Sequence, residues 1–418
     1  MAITNIKVSN FKSFKDLDLN LGPFNVVIGA NAAGKSNFTQ IFKFLRDVES
    51  NKLDDAVFMY GGSGSLLNRR IGVKDDLRIG VKSDKEMAWG LRGGRFIRVR
   101  ETTYEFTLRF GSKGNGTMIV ADRLHQKFES GTLSEKEGTL FEDDVTDKGE
   151  FSVGMVNGEP QVALEPPELA ERFEEDKILP PFFFFPEYRS HPPDKKRLTV
   201  QSRYLMLAPW ALFADIGVYN IDPHVAKKPF QIGGKAELEE NGGNLALILR
   251  HMLEDSDKNR RFHNVLQDLL PFVVEVGTQK YPEKSVLINL RENYYDGSFP
   301  AHLLSDGTIS LAALIMALYF EDKEVIIIEE PERNIHPRLI SGVMELMKDA
   351  SRNKQIIVTT HSPEIVKHAG LENLLLVSRD KEGFSTISRP AEKEAVKVFL
   401  ENELGLDDLF IQDLLAVP

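Results

Sequence analysis

Cysteine is absent from all 418 residues of the sequence. Disulfide frameworks, cysteine-ligated zinc or iron–sulfur centres and thiol nucleophiles are therefore excluded. Long apolar runs are also scarce, because the longest, Leu311 to Phe320, is about half of the roughly 20 residues that a membrane-spanning helix needs. The N-terminal residues alternate polar and apolar side chains, unlike a signal peptide. We therefore expect a cytoplasmic protein without a membrane segment.

A surplus of positive charge is missing as well. The sequence has 52 basic and 63 acidic residues and a net charge of −11 at pH 7, which argues against a surface that coats nucleic acid throughout. Residues 69–109 are the exception, with eleven basic against six acidic side chains. This segment is the candidate surface for double-stranded DNA, and its basic residues are Arg69, Arg70, Lys74, Arg78, Lys82, Lys85, Arg92, Arg95, Arg98, Arg100 and Arg109.

The order of apolar patterns predicts an α/β fold. Near the N-terminus, a strand over 24–28 leads through a glycine-bearing loop into an amphipathic helix. In the last third, a helix from about Ser305, a strand over 325–329, a helix over 337–351 and a strand over 355–360 follow one another. Such alternation is typical of a parallel sheet flanked by helices.

The middle of the chain is less regular. Residues 95–120 are rich in β-branched and aromatic side chains and predict antiparallel strands, whereas the acidic, glycine-rich residues 122–160 predict an inserted loop or small hairpins. Phe182 to Phe185 predict a buried strand, and residues 242–253 and 260–270 predict two short helices. Apolar heptads do not persist between residues 40 and 300, so no long coiled coil is expected.

Residues 29–36 read GANAAGKS and match the phosphate-loop pattern G-x-x-x-x-G-K-[ST] between a strand and a helix. The two glycines let backbone N–H groups point at phosphate oxygens, Lys35 would reach the β- and γ-phosphates, and Ser36 would ligate magnesium. The sequence therefore predicts ATP and Mg²⁺ as cofactors. The predicted nucleotide contacts in this loop are Gly29, Ala30, Asn31, Ala32, Ala33, Gly34, Lys35, Ser36 and Asn37.

Two carboxylates end the apolar strand VIIIEE, as in a second nucleotide motif of the Walker B type. Glu329 would hold magnesium, usually through water, and Glu330 would polarise the attacking water. The segment LSDGT at 304–308 begins a helix about twenty residues earlier, and a second helix N-terminus of this kind can cradle a γ-phosphate. His361 follows the next strand in VTTHS and is a candidate for the same site.

Taken in order, NIKVSNFKSF, GANAAGKS, LSDGT, VIIIEEPERNIHP and VTTHS resemble the ABC-type ATPases of the SMC/RecF/OLD group. More narrowly, the chain resembles RecF-like predicted ATPases of the AAA type without a coiled coil. The resemblance implies an α/β head with a parallel or mixed sheet flanked by helices, an N-terminal antiparallel β lobe and an inserted α/β region. The expected division is an N-terminal ATPase lobe at 1–121, an inserted region at 122–300 and a C-terminal ATPase lobe at 301–418.

In that family two heads sandwich the nucleotide, so the resemblance implies a homodimer or higher homo-oligomer. Ser305 and Gly307 would act in trans on the partner's nucleotide. His361 would be the switch histidine that senses the γ-phosphate, and residues 332–334 would form the loop that crosses the dimer interface.

The remaining assignments are also implied by the resemblance. Lys12 and Ser13 match residues that contact the nucleotide near its base and α-phosphate. The signature has Asp306 where the family usually has a second glycine, which would place a carboxylate close to the γ-phosphate. Gln126 and Gln201 are both candidates for the Q-loop glutamine.

The leading hypothesis is Mg-dependent ATP hydrolysis by a head-to-head dimer that senses DNA or regulates a separately encoded effector, as in phage defence. The residues after His361 are too few for the Toprim nuclease of OLD-type proteins, so a nuclease or toxin effector would be another chain. One alternative is an ATP-bound scaffold with negligible turnover that holds such a partner, suggested by Asp306 and Glu329. The other is a RecF-type DNA-repair mediator, suggested by the basic segment. The interval from Ser36 to Ser305 is too long for a transporter cassette.

Overall fold

The computed structural model describes residues 3–91, 94–111, 116–136, 139–169, 198, 213–233, 237–282, 284–401 and 405–416. The chain forms two compact units. The first unit consists of Met1–Leu21, Gln40–Asp215 and Arg379–Thr386, and the second consists of Gly22–Thr39, Ile216–Ser378 and Ile387–Pro418. No helix in the described ranges has both the length and the apolar character needed to cross a membrane. The predicted strand at Phe182 to Phe185 lies outside the described residues.

The elements follow one another along the whole described chain. The strands are β1 (Asn5–Phe11), β2 (Phe14–Asn20), β3 (Phe24–Ile28), β4 (Leu77–Ser83), β5 (Met87–Leu91), β6 (Arg95–Phe110), β7 (Thr117–Lys136), β8 (Thr139–Val156), β9 (Glu159–Glu165), β10 (Ile216–Tyr219), β11 (Phe230–Gln231), β12 (Val273–Tyr281), β13 (Ser285–Glu292), β14 (Ser298–Pro300), β15 (Val325–Glu329), β16 (Gln355–Thr359), β17 (Leu374–Arg379) and β18 (Ser385–Ser388). The helices are α1 (Lys35–Ser50), α2 (Leu53–Met59), α3 (Ser63–Leu66), α4 (Pro223–Ala226), α5 (Leu245–Leu253), α6 (Ser256–Leu269), α7 (Asp306–Tyr319), α8 (Ile340–Ala350), α9 (Pro363–Ala369), α10 (Glu394–Glu401) and α11 (Leu406–Ile411).

The first unit is built on an antiparallel sheet. Its strands lie in the order β2-β1-β4-β6-β7-β8-β9, and β5 pairs with β6. All of these pairs are antiparallel. The antiparallel strands predicted over residues 95–120 are confirmed by β6 and the start of β7, and the predicted N-terminal β lobe is this sheet.

The prediction of an inserted loop or small hairpins for residues 122–160 is wrong. These residues form most of β7, all of β8 and the start of β9. Their inward positions alternate as a sheet requires, with Leu124 and Phe128 buried on β7 and Phe151 and Val153 buried on β8. The signal was weak because polar residues share the buried face. The buried polar side chains there include Asp122, Gln126 and Ser130.

The second unit contains a parallel sheet in the order β10-β15-β16-β3-β17, with β18 next to β17. The pairs β10·β15, β15·β16, β16·β3 and β3·β17 are parallel. Every residue of β3 and β16 is buried, as expected for strands covered on both faces. The predicted alternation of helices and strands in the last third is therefore confirmed, and α7 is the most enclosed helix, with Thr308 to Leu318 all buried.

A small antiparallel sheet of β11, β13, β12 and β14 also belongs to the second unit and was not predicted. The two short helices expected before it are confirmed as α5 and α6. The expected division was into three consecutive segments, whereas the chain forms two units, each composed of three separate segments. The expected boundary after residue 121 falls inside β7, and residues 122–300 contribute to both units. The reason is that N-terminal β3 is hydrogen-bonded between the C-terminal strands β16 and β17.

Gly154 offers a test of the long antiparallel sheet. A Cβ at this position would lie 2.0 Å from the carbonyl oxygen of Asp122 on the neighbouring strand. We expect Gly154→Ala to lower the free energy of unfolding by about 1–3 kcal/mol, since the strands would have to separate. Gly64→Ala is the matched control in the same unit, because its Cβ would meet nothing within 4 Å. Equal midpoints for both variants in urea denaturation would contradict the described register.

Candidate nucleotide site

The phosphate loop joins the end of β3 to the start of α1. Gly29 has a φ of +146°, and a Cβ there would lie 2.2 Å from the carbonyl oxygen of Val377, so only glycine fits. Beyond it, Ala30, Asn31 and Ala32 are exposed, and Ala32 has a left-handed φ of 61°. The loop therefore presents its backbone to solvent at the N-terminus of a 16-residue helix, where N–H groups are available for an anion.

Lys35 is the central cation of the loop, and it is buried. Its Nζ donates to the carbonyl oxygens of Gly29 at 2.8 Å and Ala30 at 3.1 Å, and lies 3.3 Å from Nδ1 of His361. Burial lowers the pKa of Lys35, and the charge of Glu330 opposes this shift. Because its described partners are carbonyls and an imidazole, the ammonium has no carboxylate in direct contact and fits a polyphosphate ligand.

Glu329 is held at the carboxyl end of β15 by two neutral donors. Thr39 Oγ1 lies 2.5 Å from Glu329 Oε1 and 3.0 Å from the carbonyl oxygen of Ser36, and Asn220 Nδ2 donates to Glu329 Oε2 at 3.2 Å. Within the described ranges, no group of three or more His, Asp or Glu side chains forms a metal site by itself. A hydroxyl and a carboxylate are oxygen ligands of the kind that magnesium takes beside phosphates and water, and the metal-binding role of Ser36 and Glu329 stays a prediction.

Thr39 and Asn220 were missed by sequence reasoning. Thr39 is the fifth residue of α1, three residues after Ser36, and its hydroxyl contacts Glu329 at the end of β15. Asn220 directly follows β10 and lies at the carboxyl edge of the parallel sheet, but only the structure shows that β10 is the strand next to β15.

Glu330 lies just beyond β15, with its backbone in the left-handed region at a φ of 49° and its N–H donating to the carbonyl oxygen of Thr359 at 2.8 Å. Such a conformation costs a non-glycine residue about 1–3 kcal/mol and is concentrated at functional sites. The carboxylate pairs with Arg333, and its Oε1 lies 3.7 Å from Nε2 of His361. Arg333 Nη1 also reaches Asn220 Oδ1 at 3.4 Å.

His361 lies between Lys35 and Glu330. An ammonium can only donate, so Nδ1 of His361 accepts from Lys35 and the ring proton of the neutral imidazole is on Nε2, facing Glu330. Burial and the Lys35 charge lower the pKa of His361, and the charges of Glu330 and Glu332 oppose them. The structure thus brings together Lys35, Glu329, Glu330 and His361 at one edge of the parallel sheet.

The predicted signature begins α7. Ser305 is the N-cap residue, and its Oγ accepts from the backbone N–H of Thr308 at 3.1 Å. A Cβ on Gly307 would lie 2.7 Å from the carbonyl oxygen of Asn334, which explains the glycine by a close approach within one chain. Asp306 pairs with Lys227, and this hydrogen bond lowers the pKa of the Asp306 carboxyl. The negative charge expected beside a γ-phosphate is therefore balanced by a lysine.

Lys12 and Ser13 lie in the turn between β1 and β2 of the first unit. Lys12 Nζ lies 5.6 Å from the ring centre of Tyr60 and donates to the carbonyl oxygen of Ser65 at 3.2 Å, and burial lowers its pKa. Ser13 Oγ accepts from Ser385 Oγ at 2.8 Å. These contacts show how the turn is held, and the nucleotide contacts of both residues remain predictions.

The Q-loop glutamine also remains a prediction. Gln126 is buried on β7 of the first unit, where its Nε2 donates to Thr102 Oγ1 at 3.2 Å. Gln201 lies outside the described residues.

Five of the eleven basic residues in the segment at 69–109 form ion pairs with carboxylates. Arg100 binds both Glu86 and Glu129, so its charge is more than balanced. The other ion pairs are Lys82–Glu101 at 2.7 Å, Lys85–Asp215 at 3.8 Å, Arg95–Asp147 at 3.4 Å and Arg109–Asp76 at 2.7 Å. Arg92 lies outside the described residues. Counting charges along the sequence therefore overstated the positive surface that this segment offers to DNA.

The chain places a glycine-bearing loop, a strand end with two carboxylates and a strand-end histidine at one edge of a parallel sheet, the arrangement of a phosphate-loop nucleotide site. Its family is shown by a match over residues 24–367, and the chain belongs to the family described as "AAA domain, putative AbiEii toxin, Type IV TA system".

Curated relatives match shorter stretches. The DNA replication and repair protein RecF of Lactobacillus johnsonii is 24% identical over 163 residues, 39% of this chain and 35% of RecF. The endonuclease GajA of Bacillus cereus is 40% identical over 52 residues, 12% of this chain and 9% of GajA. An uncharacterised protein of Methanocaldococcus jannaschii is 27% identical over 94 residues, 22% of this chain and 24% of that protein. The matched part thus spans about a third or less of each relative.

Solved structures of SMC heads align along most of the chain. An SmcHead bound to the C-terminal winged-helix domain of ScpA has 16% identity and a TM-score of 0.49, covering 93% of this chain and 97% of that one. An Smc head with an extended coiled coil from Pyrococcus furiosus, bound to the C-terminal domain of ScpA, has 13% identity and a TM-score of 0.47, covering 96% and 99%.

The environment of His361 predicts its titration. Because its pKa is lowered, we expect the imidazole to be neutral at pH 7, protonated on Nε2, and to titrate with a midpoint below the usual value of about 6.5. The unfolded chain then takes up the proton first, so this residue's contribution to stability is present above pH 6.5 and is lost as the pH falls through the folded midpoint. Imidazole ¹⁵N NMR, assigned with His361→Gln, measures both quantities. A midpoint above 6.5 or an Nδ1-protonated ring would refute this geometry.

Proposed function

We propose that the protein binds ATP with Mg²⁺ and hydrolyses it in a head-to-head dimer, and that this cycle regulates a separate effector. The observation that carries the proposal is the convergence of Lys35, Glu330 and His361 at one sheet edge, beside an exposed phosphate loop. Membership of an ATPase family supports nucleotide use, and hydrolysis by this chain is the proposed step.

Each group at the edge has a chemical task in this proposal. The Lys35 ammonium neutralises charge on the β- and γ-phosphates, and its carbonyl contacts are exchanged for phosphate oxygens. Glu330 orients the attacking water and accepts its proton. His361 donates its Nε2–H toward the terminal phosphate, consistent with the tautomer that Lys35 imposes. Ser36 and Glu329 would hold magnesium, which would supply charge neutralisation of the phosphates.

The contact between Glu330 and Arg333 sets a condition for turnover. One oxygen of Glu330 is paired with Arg333, whose side chain is about half exposed. This ion pair has to open or shift before both oxygens of Glu330 are available to bind water. Because residues 332–334 are proposed to lie at the dimer interface, dimerisation is the event that would move Arg333. Ser305 and Gly307 would contact the partner's nucleotide, and the pairing of Asp306 with Lys227 reduces the repulsion that a phosphate would meet there.

A nuclease or toxin is the proposed effector class. The description of the family to which this chain itself belongs names a putative toxin of a toxin–antitoxin system, and a 52-residue segment is 40% identical to a protein named as an endonuclease. The effector is proposed to be a separate chain acting in the cytoplasm, with phage defence as the biological setting. The ion pairs within the basic segment give less support to DNA sensing through residues 69–109.

A scaffold with negligible turnover is the second candidate. Its motivation was a carboxylate at Asp306 and a glutamate at the first acidic position. The structure weakens both reasons, because Lys227 balances Asp306 and Glu329 is held by Thr39 and Asn220. The left-handed backbone at Glu330 favours hydrolysis, since such strain is stored where a group must be aimed.

Glu330→Gln tests the proposal. We expect ATP binding to persist, steady-state hydrolysis to fall at least about 100-fold, and ATP to trap a dimer in light scattering, since the amide cannot accept a proton. Wild-type turnover should rise faster than linearly with protein concentration. Glu345→Gln, an exposed carboxylate on α8, is the matched control and should leave all three properties unchanged.

Two outcomes would separate the candidates. Undiminished turnover in Glu330→Gln would remove the catalytic assignment. Nucleotide binding without turnover by the wild type, with an ATP-dependent assembly that is indifferent to Glu330→Gln, would establish the scaffold instead.

A further inference from the structure

Glu332 is a carboxylate that the proposed chemistry does not use. The sequence placed it in a loop directed at a dimer partner, together with Arg333 and Asn334. In the structure Arg333 and Asn334 are exposed, whereas the Glu332 side chain turns into its own chain. It therefore has a different task from its two neighbours.

The hydrogen bonds that the described residues make to the Glu332 side chain come from the segment that carries His361. Glu332 Oε1 accepts from Thr360 Oγ1 at 2.6 Å and lies 3.4 Å from the backbone nitrogen of His361. The same Thr360 hydroxyl accepts from the backbone N–H of Ser362 at 2.9 Å. One carboxylate oxygen therefore contacts Thr360 and His361 directly, just after β16, and Ser362 through the Thr360 hydroxyl. Thr360 is fully buried.

The second oxygen of the Glu332 carboxylate is not used in an ion pair or a hydrogen bond among the described residues. Glu332 Oε2 is buried and has no hydrogen-bond partner among the described residues. An unsatisfied buried acceptor costs about 1–3 kcal/mol, more if it is charged, and a residue kept only for stability would not require it. The unfavourable free energy of leaving Oε2 without a partner is understandable if Oε1 has to hold a neighbouring group in an accurate position.

His361 is what needs accurate placement. Its ring is fitted between the Lys35 ammonium, 3.3 Å from Nδ1, and the Glu330 carboxylate, 3.7 Å from Nε2. His361 follows the strand end, so its ring position depends on how the backbone of residues 360–362 leaves the sheet. Glu332, which lies in the loop just after Glu330, holds the backbone at the point where residues 360–362 leave the sheet.

We infer that Glu332 is a positioning residue that holds the backbone of His361 and thereby aims the imidazole between Lys35 and Glu330. The inference rests on the proposed hydrolysis, because the kinetic role of His361 is part of that proposal. It also links the loop beyond β15 to the histidine beyond β16, so a movement of the loop is transmitted to His361.

Glu332→Ala should lower kcat by about 10- to 100-fold and change KM by less than about threefold, because orientation is lost while the phosphate loop is kept. Glu332→Gln should retain most of the turnover at neutral pH, since an amide oxygen still accepts from Thr360 and His361. Glu321→Ala is the matched control, because Glu321 is buried and accepts from the backbone N–H of Leu238 in a different part of the same unit. Glu321→Ala should leave both kcat and KM as in the wild type.

A double-mutant cycle gives the sharper result. If Glu332 acts through His361, Glu332→Ala should cause no further loss of kcat in a His361→Ala background. Independent, multiplying losses would overturn the inference. Where Glu332→Ala folds poorly, Thr360→Val removes the same link with a side chain of similar shape and should show the same dependence on His361.

NMR separates failure of the inference from failure of the proposed function. Glu332→Gln removes a negative charge beside His361 and should lower the midpoint of its imidazole titration, while Glu321→Ala should not. Among the described residues, the charges that influence the pKa of His361 are those of Lys35, Glu330 and Glu332. If the wild type shows no turnover but Glu332→Gln moves the midpoint, hydrolysis fails and the inferred link stands. An unmoved midpoint overturns the link whatever the turnover.

Discussion

The register of three parallel strands is the constraint on which the candidate site depends. β15 pairs with β16 so that Glu329 lies opposite Thr359, and β16 pairs with β3 so that Thr359 lies opposite Val27. The phosphate loop, the two carboxylates and His361 therefore leave the sheet at the same edge. A slip of one residue would turn each side chain to the opposite face. β3 and β16 are fully buried and mostly aliphatic, so the polar chemistry rests on an aliphatic core.

Charge at this edge is only partly compensated, and the pattern is informative. Glu330 pairs with Arg333 and Asp306 pairs with Lys227, which leaves Lys35 without a carboxylate contact and Glu332 without a cation among the residues that the structure describes. Buried charges of this kind are costly, and natural proteins keep them where binding or chemistry requires them. The Lys35 side chain is buried but belongs to the exposed phosphate loop, where an anion would bind, whereas the Glu332 carboxylate contacts the backbone of its own chain.

Much of this site was predictable because its signals are local. GANAAGKS, VIIIEE and VTTHS each combine an apolar strand with the polar residues that follow it, and strands of this kind are buried in parallel sheets. The partners Thr39, Asn220 and Lys227 were not predictable, since each depends on which strand or helix lies next to which. The acidic segment from residue 122 failed for another reason. Buried Asp122, Gln126 and Ser130 interrupt the apolar alternation by which a strand is recognised.

The place of β3 in the parallel sheet has a consequence for synthesis of the chain. β3 is hydrogen-bonded to β16 on one side and to β17 on the other, although these strands follow it by more than 300 residues. Contacts so distant along the chain are slow to form, and the loop between them must close first. On the ribosome, the phosphate-loop strand would wait for both of its neighbours until β17, at Leu374–Arg379, had emerged. During that interval an apolar strand has both edges open, which makes the nascent chain a natural client for chaperones.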